Sequence, residues 1–270
     1  MVLPIPGHLR PHHRQAVDNL VSLFEHDPRY LAIIIGGSVA KGIARENSDV
    51  DLMIICTDEE YARRAEANDF WYWAGKEVAG YEGGYFDGKY VDLKFIEDCA
   101  DHGSETARSA FVGAFLAYSH LPGLEETLAR IPLYPEHERA EKLKSFVCQV
   151  MLLGWFISEA EKREDKYLLT WATSSLTLFG GRVILAHNRI LFPYHKWLMK
   201  RVEEAPEKPE NFMELTRALL ENPTYPNAKA YCDAITTWQD WGIPWKESVS
   251  RFMMDAEWNW REHRAPLTDW

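Results

Sequence analysis

Apolar positions in the first half of the chain switch between a helical and an extended period. Over residues 11–26 they recur at Val17, Leu20, Val21 and Phe24, the spacing of an amphipathic helix. Tyr30–Ile35 is an apolar, β-branched run and reads as a buried strand, as does Val50–Cys56. Between them Gly36-Gly37-Ser38 reads as a turn and Val39–Ala44 as a short helix. Asp58–Gly80 reads as a helix with Thr57 or Asp58 as N-cap. Asp87-Gly88 lies between two aromatic or β-branched runs, a hairpin signal, which predicts residues 84–86 and 89–96 as antiparallel neighbours.

From about Glu136 the strand signals stop. Helices are predicted over about 137–163, 166–190, 194–204, 210–221, 226–240 and 246–263, punctuated by Pro206, Pro209, Pro223, Pro226 and Pro244. Pro122, Pro132 and Pro135 mark a boundary region. The expected architecture is an α/β (α+β) domain with a small mixed sheet over residues 1–132, then an all-α helical bundle over 133–270. A cleft between two such domains is a favoured place for a ligand.

Composition narrows the class. With 270 residues, 46% hydrophobic and 26% charged, the chain is long enough for a core without disulfides, and it is neither a fibrous nor a disordered sequence. Thirty basic against 41 acidic residues give a net charge of −11, which argues against a nucleic-acid partner. Cys56, Cys99, Cys148 and Cys232 are far apart and form no CxxC pair, so zinc or redox-motif chemistry is not indicated. The N-terminus lacks the charged-then-apolar pattern of a signal peptide, and the runs Leu31–Ile35 and Val150–Ile157 fall short of a membrane span; a cytoplasmic protein with no membrane partner is expected. Of 11 tryptophans, Trp238, Trp241, Trp245, Trp258, Trp260 and Trp270 crowd the C-terminal end, as an aromatic helical core or as the wall of a pocket.

One segment carries chemistry: Gly36-Gly37-Ser38-Val39-Ala40-Lys41-Gly42, followed by Ser48-Asp49-Val50-Asp51-Leu52. Asp49 and Asp51, two apart at a strand start, project to the same side. Paired carboxylates repel unless a cation intervenes, and magnesium takes one or two carboxylates with substrate phosphates and waters. Gly37 and Ser38 offer close backbone approach and a hydroxyl to a phosphate. Asp92, within the apolar run Tyr90–Phe95, is expected on the strand after the hairpin, as a third carboxylate that binds metal or accepts a proton. Two metals there could stabilise both oxygens of an in-line displacement.

GGSVAKGIARENSDVDL, with a later apolar strand bearing an acid, resembles the DNA polymerase β-type nucleotidyltransferase superfamily over roughly residues 30–96. The resemblance implies that Asp49 and Asp51 hold Mg2+, that Gly37, Ser38 and Lys41 hold the triphosphate of an NTP, and that Asp92 completes the metal site or deprotonates the acceptor hydroxyl. Pro193-Tyr194-His195-Lys196-Trp197-Leu198 is similar to a stretch in the helical domains of aminoglycoside and lincosamide nucleotidyltransferases. That likeness implies Lys196 as a further nucleotide contact. Glu159, Glu161, Tyr167 and Arg182 are weaker candidates. Arg189 with His195, and Arg182 with His187, loosely resemble the spacing of a HEPN ribonuclease motif, interrupted for the first pair by Pro193.

The expected function is Mg-dependent transfer of a nucleoside monophosphate, ATP being the favoured donor, to a hydroxyl of a small molecule such as an aminoglycoside, with release of pyrophosphate. Two ions are expected with the nucleotide bound, and the acidic charge suits a cationic acceptor. The alternatives are nucleotidylation of a protein or tRNA, and a non-catalytic nucleotide-binding module.

Overall fold

The computed structural model describes residue 3 and residues 5–261. Helix α1 (Pro11–Phe24) opens on a proline at its first turn, where a missing N–H costs nothing. It buries Ala16, Val17, Leu20, Val21 and Phe24 on one face. Strand β1 (Tyr30–Ile35) leads into α2 (Gly37–Ala40), which begins two residues earlier than expected and is over by Ala40. Then come β2 (Val50–Cys56) and α3 (Asp58–Ala67), whose first turn is capped by Thr57 Oγ1 accepting from the Glu60 N–H at 3.3 Å.

The helix expected over Asp58–Gly80 is broken. Asn68 adopts the left-handed conformation (φ 52°) that ends α3, and the aromatic run that follows forms β3 (Trp71–Ala74) and a single turn, α4 (Lys76–Ala79). The expected hairpin is also absent. Asp87-Gly88 lies inside a continuous strand, β4 (Phe86–Val91). Gly88 faces Leu52, and a Cβ there would lie 2.8 Å from Leu52 Cγ. The glycine answers a packing demand inside the sheet rather than a turn. The unit continues with α5 (Leu93–His102), α6 (Glu105–Ala110), β5 (Phe115–Ser119) and α7 (Leu124–Arg130).

The five strands form one mixed sheet in the order β3-β4-β2-β1-β5. β2 and β4 are parallel; every other pairing is antiparallel. One face carries Ile33, Ile35, Val50, Leu52, Ile54, Phe86 and Tyr90 into a core with α1. The other carries Ile34, Ile55, Val91 and Leu116 into a core with Ile96, Cys99, Leu124 and Leu128 of α5 and α7. An ionic cluster seals α3 against β1 and β4. Nearly inaccessible Glu60 takes Arg63 and Arg64 at 2.8 Å and Arg29 at 3.6 Å. Arg64 donates to the Tyr30 hydroxyl at 3.1 Å and lies 3.3 Å above the Tyr90 ring. The hydrogen bonds from Arg63, with Arg64 and Arg29 nearby, hold the Glu60 carboxyl down at about 2 against the effect of burial.

The chain divides into two compact units, residues 1–133 and 134–270. The second contains α8 (Arg139–Arg163), α9 (Lys166–His187), α10 (Leu198–Glu204), α11 (Phe212–Glu221), α12 (Tyr225–Thr236) and α13 (Trp245–Phe252). A π-helical turn, Met253–Glu257, follows. The stretch Glu136–Arg163 and α9 are long and apolar enough to cross a membrane, but half or more of each most apolar window is buried in the unit. Their core residues include Val150, Leu153, Ile157, Leu176, Val183 and Ile184. Trp238 and Trp241 pack against this core, whereas Trp245, Trp258 and Trp260 are exposed; Trp270 and the end of the expected 246–263 helix lie outside the described residues. All four cysteines are free thiols.

Candidate active site

Parallel pairing of β2 with β4 sets Asp51 opposite Asp87 and Met53 opposite Lys89. Because successive side chains alternate, Asp51 and Asp87 leave the same sheet face, from strands ~4.8 Å apart. β4 shows the alternation plainly: Phe86, Gly88 and Tyr90 are buried, and Asp87 and Lys89 are exposed. A pocket of about 270 Å³ opens there, lined by Gly36, Gly37, Lys41, Asp51, Asp87 and Lys89, together with Ala110, Phe111 and Ala114.

Gly37 shapes this pocket. Its φ is +61°, and a Cβ there would overlap Oδ2 of Asp51 and lie 2.8 Å from the Asp51 Cβ. Only glycine lets the backbone pass so close to the carboxylate. The Gly36 N–H donates to the Asp51 carbonyl at 2.9 Å, fixing the start of α2 to β2. Residues 41–48, which join α2 to Asp49, lack regular structure, and they and the end of α2 are tied down from outside. The Ala40 and Glu46 carbonyls meet His8 and His12 Nε2 at 3.1 and 3.0 Å, Arg10 donates to the Ala44 carbonyl at 3.3 Å, and the Tyr81 hydroxyl donates to the Ser48 carbonyl at 2.5 Å.

Of the sequence candidates, Gly37, Lys41 and Asp51 share the pocket wall, and Ser38 and Asp49 do not. Asp49 immediately precedes β2 and is hydrogen-bonded to the Tyr85 hydroxyl. That bond, with Asp87 and Asp51 nearby, raises the Tyr85 pKa. Asp92 is not on a strand. β4 ends at Val91, and Asp92 caps α5, accepting from the Phe95 N–H at 2.7 Å. The carboxylate aligned with Asp51 is Asp87, which the hairpin reading placed in a turn. Its signal was the two-residue alternation from Phe86 to Tyr90. The Trp71 indole N–H donates to Asp87 Oδ1 at 2.8 Å.

Among the described residues no three His, Cys, Asp or Glu side chains converge as a metal cluster, so the expected Asp49–Asp51–Asp92 triad is not formed. Magnesium still fits. A hard carboxylate, Asp51, faces the pocket beside a glycine that leaves room for a ligand, and Mg2+ needs one or two carboxylates when phosphates complete its shell.

In the second unit Lys196 sits in an exposed 3-10 turn, with Nζ 5.9 Å from the Trp197 ring centroid. Glu159 pairs with Lys162 and Arg163, and Glu161 accepts from the Tyr225 N–H. The ribonuclease-like arginines serve the bundle. Arg182 lies 4.4 Å from both the Phe146 and Phe192 ring centroids, and Arg189 pairs with Glu136 at 2.8 Å.

Residues 15–104 match the family model for the nucleotidyltransferase domain. No curated protein matches the chain. Among solved structures, a nucleotidyltransferase-like protein from Exiguobacterium sibiricum is 12% identical, with a TM-score of 0.50, covering 93% of this chain and 81% of its own. At that identity the likeness is one of fold. The segment similar to the nucleotidyltransferase domain runs from α1 past α5 and contains Gly37, Asp51 and Asp87.

Proposed function

We propose that the protein transfers a nucleoside monophosphate from ATP to a hydroxyl of a small molecule and releases pyrophosphate. The observation that carries this reading is the registered pair Asp51 and Asp87 on one sheet face, with Gly37 and Lys41 on the same pocket wall. Gly37 and Lys41 take the triphosphate, the glycine by close backbone approach and the lysine by charge; Ser38 adds a hydroxyl at the start of α2. Asp51 would hold Mg2+, with Asp49 as the second carboxylate; when bound, the ion supplies neutralising charge to the triphosphate. Asp87 has Oδ1 engaged by Trp71 and presents Oδ2 to the acceptor hydroxyl, whose proton it accepts. Lys89, two residues along the same face, adds positive charge to the pocket lining. The four free thiols suit a reducing compartment such as the cytoplasm.

The test is pyrophosphate release from Mg-ATP across a panel of hydroxylated small molecules. Release that needs one acceptor and disappears in Asp51→Asn supports the reading. Failure of Mg-ATP to bind the wild-type protein in calorimetry overturns it.

A further inference from the structure

Trp71 and Trp73 are 65% and 54% exposed, an unusual cost for two indoles on one short strand. Two residues apart on β3, they share a face. Across the antiparallel β3–β4 pairing Trp73 stands opposite Asp87 and Trp71 opposite Lys89, so the indoles extend the face that bears the carboxylates. The Trp71 bond to Asp87 Oδ1 at 2.8 Å joins the two features. Glu77 adds a second acid: its carboxylate and the Trp73 ring edge both crowd Gly75, where a Cβ would meet them at 2.7 and 3.0 Å.

The sheet order gives this ledge a direction. Reading β3, β4, β2 and on to the turn after β1, the face presents Trp73, Asp87, Asp51 and then Gly36-Gly37. On the reading above, the triphosphate lies at the Gly37 end. In-line displacement needs the attacking oxygen on the side away from the leaving pyrophosphate. That side is β3. The face also carries Lys89 opposite Trp71, but Asp87 and Glu77 outnumber it, so the balance of charge disfavours an anionic ligand. Indole faces take the C–H face of a saturated ring, and neighbouring acids accept its hydroxyl or ammonium protons.

The geometry points to the Trp71–Trp73 face of β3 as the acceptor subsite, and to its ligand as a polyhydroxylated ring that is neutral or cationic. The inference rests on the nucleotidyl-transfer reading. A ring hydroxyl is directed at Asp87; its oxygen bonds the α-phosphorus, the bond from that phosphorus to pyrophosphate breaks with its electron pair, and the proton passes to Asp87 Oδ2.

The experiment is 15N NMR of the full chain, with the indole N–H signals assigned through Trp71→Phe and Trp73→Phe. Glucose, glucosamine, glucose 6-phosphate and Mg-ATP are titrated separately at millimolar concentration. The expected result is that glucose and glucosamine shift both indole signals and the two anionic compounds do not, with Trp73→Ala weakening the sugar response about fivefold. No shift with either sugar, or a larger shift with Mg-ATP or the sugar phosphate, overturns the assignment. The same titration separates the two readings. Mg-ATP perturbing Lys41 and Gly37 without the sugars moving the indoles sinks only the subsite. Mg-ATP perturbing nothing sinks nucleotidyl transfer itself.

Discussion

Asp51 and Asp87 are direct partners in the only parallel pairing of the sheet, and they reach it from positions 36 residues apart in sequence. An excursion through α3, β3 and α4 separates them, and the register of β4 alone decides whether the two carboxylates meet. A slip of one residue would bury Asp87 and Lys89 and expose Phe86 and Tyr90.

The proposed function gives the two acids different work, and substitution separates them. Asp51→Asn is expected to abolish Mg-dependent ATP binding. Asp87→Asn keeps an oxygen for the Trp71 bond and is expected to keep ATP binding while cutting transfer about a thousandfold. Calorimetry and pyrophosphate release read the two quantities. Equal loss of binding in both variants would show that Asp87 acts as a metal ligand instead.

Asp92 provides the contrast. Removing an N-cap carboxylate costs about 1 kcal/mol. Asp92→Ala is therefore expected to lower Tm by a few degrees and leave turnover per folded molecule within about twofold. A turnover loss matching that of Asp87→Asn would return Asp92 to the site.

Gly37→Ala places a methyl group on the Asp51 carboxylate at a positive φ. A destabilisation of roughly 2 kcal/mol is expected in denaturant titrations, with ATP binding lost even at temperatures where the variant is fully folded. A variant that binds ATP normally would show that the loop yields and that the close approach is incidental.

Lys41→Ala is expected to raise the dissociation constant for Mg-ATP about tenfold, with the remaining affinity less sensitive to salt. Lys196→Ala belongs in the same series, because the likeness at Pro193–Leu198 is what nominates it. An unchanged constant would remove that lysine from the nucleotide site.

Acid sensitivity should concentrate at Glu60. Its carboxyl sits at about 2 in the folded protein against an ordinary 4.5. A depressed value means that the folded state binds its proton more weakly than the unfolded chain. The stabilisation is then complete above pH 4.5 and is lost as pH falls toward 2. Glu60→Gln should flatten the Tm profile across that window and lower Tm at pH 7, since Arg64 is then left with Asp69 alone as an acidic partner. An unchanged slope would place the acid response elsewhere.

The sequence made β1, β2, α1 and the helices of the second unit legible because their apolar periods are strong and their boundaries carry caps or prolines. The Gly37 and Asp51 pair was legible because close-approach glycine and strand carboxylate lie 14 residues apart in one short motif. The region from Asp58 to Asp92 was not. Its helix propensity continues through Glu66, and what ends the helix is one left-handed asparagine. Asp87-Gly88 imitates a turn because the signal for a hairpin and the demand for a glycine opposite Leu52 look alike in one dimension. Reading that dipeptide as a turn left Asp87 out of the candidate carboxylates, and Asp92, expected on a strand as the third, lies at the N-cap of α5 instead.

The ties that hold residues 40–48 begin at His8, Arg10 and His12, all upstream of the first residue of the family match. Kinship and mechanics thus draw the edge of this domain in different places. A chain cut at residue 15 would keep every carboxylate and both pocket lysines, yet lose three of the tethers on the span between Gly37 and Asp49. Swapping the matched segment between relatives would transplant the reacting groups and leave behind part of the frame that sets their spacing.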